Sequence, residues 1–279
     1  MTPEHIRTAI ADGVGTITID RPQRFNSLDV RTSQDLRRAA LGMARDEHVR
    51  VVVLRGVNRV FCSGADLKYI RGGGAGDDLA YLQPAARDIP DGYGEVFKQI
   101  LEYLHSTISE IRRAAKPFIA AVDGIAAAGG LGLAMACDLV VASDRSSFEW
   151  AYSRTGLTGA ESSTFLLPRL IGLRRALELV LLNPRLTAAD AQRLGLVTAV
   201  YAGDEFEARV SELAAQLAAG PTRAFGVAKG LLNLAAGVDR LDYHLDQELE
   251  NLARSADGAE FKEGIAAFFE KREAHFSAL

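Results

Sequence analysis

Hydrophobic and polar residues in the first 200 positions follow the pattern of strands that alternate with helices. Residues 16–19 alternate polar and apolar side chains, which is typical of a half-buried strand, and Asp12 and Gly13 before them are a typical hairpin turn pair. Helical spacing of apolar residues extends over 29–44 and 96–115. Three apolar runs predict parallel strands that are buried on both faces: 49–56, 118–122 and 139–142. This order predicts an α/β fold.

Beyond residue 204 the pattern becomes purely helical. We expect four consecutive helices there, over 205–218, 222–236, 239–255 and 259–275. The change near Tyr201 therefore predicts a strand–helix core over residues 1–200 and a helical C-terminal region over residues 201–279.

Residues 71–95 interrupt the first part of the chain with a segment rich in glycine and proline, which predicts a loop. Two interpretations of this segment remain open. It is either a solvent-exposed insertion or a flap over a binding site, since long loops in compact domains are often lids.

Composition excludes several classes of protein. Hydrophobic residues make up 48% and charged residues 24% of the 279 positions, which is too apolar for a disordered chain. The net charge of −4 lacks the basic excess of a protein that binds nucleic acid or a membrane surface. The N-terminus shows no signal-peptide pattern, and the run 118–122 is too short to cross a bilayer. Cys62 and Cys137 match no disulfide scaffold or zinc spacing. We expect a cytoplasmic protein with no nucleic-acid, membrane or metal partner.

Familiar catalytic motifs are missing from the sequence. The glycines at 72–76 are not followed by the Lys and Ser or Thr of a phosphate-binding loop. Ser162 and Ser163 lack the flanking glycines of a nucleophile elbow. The five histidines are scattered, and we expect most of them at the surface. A serine hydrolase, a metalloenzyme and a nucleotide-binding enzyme are therefore not supported.

Two loops combine a preceding buried strand with small residues that open a helix. The first is expected over 61–66, and the second over 123–132 with a helix over 131–136. Backbone N–H groups at a helix N-terminus are free to bind a ligand oxygen, and small side chains allow its close approach. Two such groups aimed at one point form an oxyanion hole. The alternative, close packing of helix on strand, requires small residues as well.

Motifs along nearly the whole chain resemble those of the crotonase (enoyl-CoA hydratase/isomerase) superfamily. The matching segments include FCSGADL at 61–67, KPFIAAVDGIAAAGG at 116–130 and LAMACDL at 133–139. The likeness begins with GTITIDRP at 15–22 and ends with FKEGIAAFFEKR at 261–272. The resemblance implies an α/β fold built as a spiral of ββα units, with a C-terminal helical region used for trimerisation. It also implies an acyl-CoA substrate, no separate cofactor, and a homotrimer or a dimer of trimers.

The resemblance also implies roles for particular residues. The oxyanion donors map to the backbone N–H groups of Ala65 and Gly129. Contacts with the substrate or its CoA are implied for residues beside these loops and, from a neighbouring subunit, in the last helix: Ser63, Gly64, Asp66, Leu67, Lys68, Gly130, Phe268 and Lys271. Asp66 has the alternative role of a helix cap, and lysines on helices are usually just solvated.

The chain departs from the hydratases of this superfamily at both of their catalytic glutamates. These positions correspond to Gly132 and Tyr152, and simple hydration is therefore disfavoured. The segments 148–157 and 164–172 are more similar to the isomerases, among them the 2-(1,2-epoxy-1,2-dihydrophenyl)acetyl-CoA isomerases and the Δ3,Δ2-enoyl-CoA isomerases. Those enzymes carry an acid at the position of Ala160, and this chain has Glu161 one residue later.

Glu161 is our candidate base, although one residue of displacement turns a helical side chain by about 100°. An extended loop would compensate for it. The alternative is an exposed acid that caps the following helix. Tyr152 is a second catalytic candidate or a pocket wall, and Glu149 is a weaker one because it faces opposite to Phe148 on a strand. We expect an isomerase that works through a thioester enolate. A hydratase, lyase or hydrolase of the same superfamily and an inactive protein that binds CoA thioesters remain alternatives.

Overall fold

The computed structural model describes residues 4–75 and 92–278, and within these ranges the strands form two sheets. The strands are β1 (Ile6–Ala11), β2 (Val14–Ile19), β3 (Val51–Gly56), β4 (Val60–Cys62), β5 (Phe118–Val122), β6 (Ile125–Ala127), β7 (Leu139–Ser143), β8 (Ser147–Glu149), β9 (Leu186–Thr187) and β10 (Ala199–Tyr201). The helices are α1 (Val30–Arg45), α2 (Leu67–Arg71), α3 (Tyr93–Arg113), α4 (Gly129–Ala136), α5 (Ser163–Ile171), α6 (Leu173–Leu182), α7 (Ala188–Leu194), α8 (Phe206–Ala219), α9 (Thr222–Ala235), α10 (Leu241–Ala256) and α11 (Ala259–Glu270). Residues 76–91 of the predicted insertion lie outside the described residues, and its two interpretations stay open.

The larger sheet has the order β1-β2-β3-β5-β7-β10, with β1 antiparallel to β2 and the other neighbours parallel. Asp12 and Gly13 both have positive φ, 50° and 77°, as a two-residue hairpin turn requires, so the predicted hairpin is confirmed. Val53 of β3 clusters with Phe206 of α8 on one face, while Leu54 belongs to the main core on the other. Burial on both faces explains why this strand is apolar throughout.

The smaller sheet contains β4, β6 and β8 in parallel, with β9 antiparallel to β8. The prediction of loops over 61–66 and 123–132 is wrong for β4 and β6, which belong to this sheet. Helix α4 also begins at Gly129 rather than at Leu131. Strands of three residues are too short to show the two-residue period of a half-buried strand, and the sequence pattern therefore does not reveal them.

Strands of the two sheets follow each other in pairs along the chain. β3 and β4 precede α2, β5 and β6 precede α4, and β7 and β8 precede α5. Each repeat is therefore a ββα unit, as the resemblance implied. Because β4 and β6 are parallel neighbours, the segments that leave their carboxyl ends lie side by side.

From Phe206 to Glu270 the regular elements are all helical, as predicted. Helix α11 ends at Glu270 instead of continuing to His275, because Lys271 takes a left-handed conformation with φ of 56°. Across the described ranges, every helix is too short or too polar to span a lipid bilayer.

The β hairpin offers a matched pair of isoleucines that tests how the core supports this fold. Ile17 of β2 is 1% exposed and Ile10 of β1 is 49% exposed. Ile17→Ala should lower the free energy of unfolding by about 2–5 kcal/mol, because it leaves a cavity. Ile10→Ala should cost less than about 1 kcal/mol. Urea unfolding at one protein concentration measures both, and equal losses would contradict the burial of β2.

Candidate active site

The two predicted loops meet at the carboxyl ends of β4 and β6. Gly64 has φ of +91°, and a Cβ placed on it would lie 2.8 Å from the Ala128 Cβ and 3.2 Å from the Gly129 nitrogen. A side chain at this position would therefore be strained and would push the loops apart. Glycine at position 64 lets the backbone of one loop lie directly against the other.

Backbone geometry leaves the N–H groups of Ala65 in the first loop and Gly129 in the second loop unpaired. Leu28 donates its N–H to the Gly64 carbonyl (2.9 Å) and accepts from the Asp66 N–H (2.8 Å), a parallel bridge that holds Ala65 with its own N–H outside the pairing. Gly129 is the first residue of α4, where an N–H has no partner within the helix. Neither N–H donates to another described residue. The two groups are thus available to a ligand oxygen.

A cavity of about 440 Å³ lies in front of these loops. Its walls are largely aromatic and apolar, and they include Phe25, Phe97, Leu157, Phe268 and Phe269. Phe97 belongs to α3 and brings one residue of the predicted helix over 96–115 to the pocket. A cavity with apolar walls and polar groups between them is typical of a small-molecule site.

Glu161 places its carboxylate against the second loop. A Cβ on Gly129 would lie 2.8 Å from Oε1 of Glu161, and the Tyr152 hydroxyl donates to Oε2. Glu161 is only 3% exposed, so the alternative of an exposed helix cap is wrong. Burial is the main cause that raises the pKa of Glu161 to about 8; the hydrogen bond from Tyr152 opposes this shift, and the charge of Glu248 adds to it. A carboxyl with such a pKa can both accept and donate a proton near neutral pH.

A turn of two left-handed residues compensates for the one-residue displacement of the acid. Glu161 and Ser162 have φ of 52° and 62°. Ala160, the position at which the related isomerases carry their acid, is fully buried, and its carbonyl accepts from the hydroxyls of Tyr152 and Ser163. This turn directs the Glu161 side chain toward Gly129.

The two positions that correspond to the hydratase glutamates, Gly132 and Tyr152, both lie next to Glu161. A Cβ on Gly132 would overlap the Glu161 carbonyl oxygen and lie 2.8 Å from the Glu161 Cβ. Tyr152 is 5% exposed, packs edge-on against Trp150 and bonds to the Glu161 carboxylate. One carboxylate therefore occupies the space between the two positions, and no side chain fits at 132.

Asp66 and Glu149 border the cavity but are engaged in ion pairs. Asp66 accepts the Lys68 and Tyr69 N–H groups (both 3.0 Å) as the cap of α2, and it also pairs with Arg21 and Arg24. Burial would raise the pKa of Asp66, yet these partners together lower it below its ordinary value. Glu149 pairs with Arg154 (2.7 Å) and Arg185 (3.4 Å). The capping role that was the alternative for Asp66 is therefore what the contacts show.

The residues that the resemblance implies for contact with the substrate or its CoA differ in their positions. Ser63, Leu67, Lys68 and Phe268 line the cavity. Gly64 and Gly130 serve close packing, since a Cβ on Gly130 would overlap the Cys62 carbonyl. Phe268 reaches the cavity of its own chain, whereas Lys271 is exposed beyond α11 and is absent from the described lining. A role for either residue in a neighbouring subunit's site stays a prediction.

Sequence reasoning did not single out His105 and Glu248, two buried residues that contact the Glu161 turn. His105 Nε2 accepts the Glu161 N–H (3.3 Å), and burial lowers the pKa of His105 to about 3, so its ring is neutral. Glu248 accepts the Ser162 N–H (2.8 Å). A signal was present, because Glu248 continues the apolar stripe of Leu241, Leu245 and Leu252 in α10 at helical spacing. An acidic residue within such a stripe is expected to be buried with it.

Similarity to known proteins agrees with this arrangement. The enoyl-CoA hydratase/isomerase family model matches residues 9–89 and 85–278, so the chain belongs to this family, the crotonase superfamily. It is 34% identical over 275 residues to 4-chlorobenzoyl coenzyme A dehalogenase-2 of Arthrobacter, covering 99% of this chain and 94% of the relative. It is 30% identical over 276 residues to 1,2-epoxyphenylacetyl-CoA isomerase of Escherichia coli K12, covering 98% of each.

Structural similarity extends over the whole chain. The crystal structure of an enoyl-CoA hydratase from Mycobacterium avium subsp. paratuberculosis superposes with a TM-score of 0.85 at 32% identity, covering 99% of both chains. The relatives thus carry names of three reactions, dehalogenation, isomerisation and hydration. They define a CoA-thioester enzyme family and leave the particular reaction to the side chains of the site. Within the described ranges, His, Cys, Asp and Glu form no group of three or more that could hold a metal ion.

The raised pKa of Glu161 predicts how stability depends on pH. The folded protein holds this proton up to about pH 8, whereas the ordinary pKa is 4.5. At this group the unfolded chain therefore binds fewer protons between these values, and the contribution of Glu161 to stability falls as pH rises from about 5 to about 8. Glu161→Gln, which cannot ionise, should show a shallower decline. Urea unfolding of both proteins at pH 5 and pH 8 measures the difference, and parallel declines would contradict the raised pKa.

Proposed function

We propose that the protein is an acyl-CoA isomerase that shifts a double bond, or rearranges an epoxide-derived acyl group, through a thioester enolate. The observation that carries the proposal is the position of the Glu161 carboxylate against Gly129, in a cavity that Ala65 also lines. A thioester oxygen bound by the Ala65 and Gly129 N–H groups would place its acyl carbons next to this carboxylate. Coenzyme A enters as part of the substrate, and no separate cofactor is invoked.

The reaction requires one proton carrier. Starting from a 3-enoyl thioester, the Glu161 carboxylate takes a proton from the α-carbon, and the electron pair moves into the dienolate whose oxygen accepts both N–H groups. Glu161 then returns the proton to the γ-carbon, and a conjugated 2-enoyl thioester is formed. Removal of one donor from an oxyanion hole typically costs about 2.7–4 kcal/mol of transition-state stabilisation.

Tyr152 supports this role through the Glu161 carboxylate. Its hydroxyl donates to Oε2, which leaves Oε1 for the substrate. Burial and the charge of Glu161 raise the pKa of Tyr152 well above its ordinary value, so the hydroxyl keeps its proton and remains a donor. The hydrogen bond orients the carboxylate and leaves Oε1 able to accept a proton from the substrate.

Hydration is disfavoured by the same side chains. Adding water across a double bond needs one group to activate water and one to protonate carbon. Among the acids that line the described cavity, Asp66 and Glu149 are held by arginines, and Glu161 alone has no cationic partner.

Hydrolytic dehalogenation is a second candidate, because the chain is 34% identical to relatives named 4-chlorobenzoyl-CoA dehalogenases over 99% of its length. In a chloroarene conjugated with the thioester, a carboxylate can form a C–O bond at the carbon that bears chlorine, and chloride leaves with the C–Cl electron pair. Water then hydrolyses the resulting ester. This chemistry needs a second group to activate the water, and the other acids that line the described cavity, Asp66 and Glu149, are held by arginines.

Glu161→Gln tests the proposed reaction directly. Isomerisation of a 3-enoyl-CoA should fall by about 10²–10⁴-fold, because a general base is lost. In the parent, kcat/KM should rise with pH up to about 8, since the ionised form of Glu161 takes the proton. Ultraviolet absorbance of the conjugated product measures both. Glu212→Gln, at the exposed surface, serves as the control and should keep the parent rate.

Other substrates distinguish the alternatives. Crotonyl-CoA hydration at the rate of 3-enoyl-CoA turnover would identify a hydratase, and chloride release from 4-chlorobenzoyl-CoA would identify a dehalogenase. A protein that only binds CoA thioesters would exchange no α-hydrogen with heavy water. A full rate in Glu161→Gln would remove Glu161 from the mechanism.

We also propose that the chain assembles as a homotrimer or a dimer of trimers. Two helices expose large apolar side chains, and contiguous exposed apolar surface of this kind marks an interaction site. These side chains are Leu173, Leu177, Leu181 and Leu182 on α6, and Val227, Leu231, Leu232 and Leu234 on α9. The resemblance implies trimerisation through the C-terminal helical region, which includes α9, and we propose other copies of this chain as the partner for both surfaces.

Substitution within these surfaces tests the assembly. Leu231→Glu, at a side chain that is 64% exposed, should shift the sedimenting species to a smaller mass, because a charge would be buried at the interface. Sedimentation velocity of the parent and the variant measures the change. A parent that sediments as a 30.0 kDa monomer would overturn the proposal.

A further inference from the structure

The turn that carries Glu161 is held by a side chain from a distant helix. Helix α5 begins at Ser163, and Ser162 before it makes no side-chain cap. Glu248 of α10 supplies the missing acceptor instead, with Oε2 accepting the Ser162 N–H (2.8 Å) and Oε1 accepting the Thr164 N–H (2.9 Å). The Thr164 hydroxyl donates to the same Oε1.

Glu248 occupies an unusual position for a carboxylate. It is 4% exposed and lies in the apolar stripe of α10, where burial raises its pKa to about 7 despite the hydrogen bonds that oppose the shift. Burying a carboxyl group is costly unless donors satisfy it. Here the donors are the N–H groups of Ser162 and Thr164 and the Thr164 hydroxyl, so the cost is offset only while the turn and the start of α5 keep their shape.

The turn itself is unfavourable without such support. Glu161 and Ser162 are consecutive non-glycine residues in the left-handed region, a conformation that persists only where surrounding contacts hold it. Their two N–H groups are the ones taken by side chains from other helices, His105 of α3 and Glu248 of α10. Two external acceptors thus fix two successive peptide groups.

We propose that Glu248 is a positioning residue for the proposed reaction, which holds the left-handed turn so that the Glu161 carboxylate lies against Gly129. The inference rests on the proposed function for its kinetic consequence, but its structural content is independent of the reaction. Glu248 is not among the residues that line the described cavity, so it acts through Glu161 rather than on the substrate. This positioning role explains how an acid at position 161 can serve in this chain, whereas the related isomerases carry their acid at the position of Ala160.

Two titratable side chains, His105 and His244, lie close to the Glu248 carboxylate. His105 Nε2 lies 3.9 Å from Oε2, and His244 Nε2 lies 3.8 Å from Oε1 and 2.7 Å from the Thr164 hydroxyl. Burial lowers the pKa of both histidines, so both rings are neutral partners near neutral pH. The hydrogen bonds to the backbone, rather than an ion pair, are therefore the contacts that Glu248 contributes.

Three variants on α10 test the proposal. Glu248→Gln keeps the shape and one oxygen acceptor but turns an N–H₂ group toward the second donor, and Glu248→Ala removes both acceptors. Glu250→Gln is the matched control on the same helix, where the side chain is 57% exposed and lies 3.7 Å from Lys98. We expect kcat to fall in the order parent, Gln variant, Ala variant, by about 10-fold or more at Glu248→Gln, because small misplacements of a catalytic group are costly. KM should stay within about twofold, and Glu250→Gln should match the parent.

Two readouts keep this test independent of isomerisation. Exchange of the α-hydrogens of butyryl-CoA with heavy water needs Glu161 and the oxyanion donors but no double-bond shift, so it should fall in the same order even if the isomerase assignment fails. Crystal structures of the parent and Glu248→Ala should show residues 161 and 162 leaving the left-handed region and the carboxylate moving away from Gly129. Circular dichroism confirms that each variant is folded. An unchanged turn in Glu248→Ala, or a loss that appears in KM alone, would overturn the proposal.

Discussion

The contact between the ends of β4 and β6 is the constraint on which the rest of the site depends. These strands have only three residues each, yet their parallel pairing sets two loops side by side, and Gly64 allows the loops to touch at Ala128 and Gly129. An oxyanion hole needs two donors fixed before the charge develops, because donors that must reorganise lose their advantage. In the oxyanion hole that we propose, the Ala65 N–H is fixed by the bridge between Leu28 and Ala65, and the Gly129 N–H by its place at the start of α4. Both donors are backbone groups, so the side chains around them need only be small.

The acid that faces this hole is controlled by opposing electrostatic effects. The N-terminus of α4 favours a negative charge on the Glu161 carboxylate, as does the hydrogen bond from Tyr152. Burial and the nearby Glu248 disfavour that charge, and burial is the larger effect. In the proposed reaction, this balance places the pKa of the carboxyl group close to the pH at which it would both take and return a proton. Asp66, the residue directly after Ala65, shows the opposite balance, because two arginines and the N–H groups of α2 favour its ionised form.

Sequence motifs predicted the backbone part of the site better than its side-chain part. The segments around Ala65 and Gly129 could be recognised because close packing restricts them to small residues in a fixed order. The strands of the smaller sheet could not, since three residues show no period. The orientation of Glu161 depended on left-handed backbone at two non-glycine residues, which local preferences disfavour and only long-range contacts stabilise. Those contacts come from His105 and Glu248, which lie 56 and 86 residues away from their partners in the turn and match no motif.

The space around Glu161 explains why this site suits one proton carrier rather than two. The two positions at which the hydratases carry glutamates correspond to Gly132 and Tyr152, and both touch Glu161 in this chain. The backbone of the turn fills the volume that a side chain at 132 would need, and the Tyr152 hydroxyl occupies one oxygen of the carboxylate. Restoring a glutamate at either position would therefore displace the acid already present instead of adding a second one. The isomerase reaction that we propose therefore rests less on which acids are missing than on the single acid whose turn occupies their place.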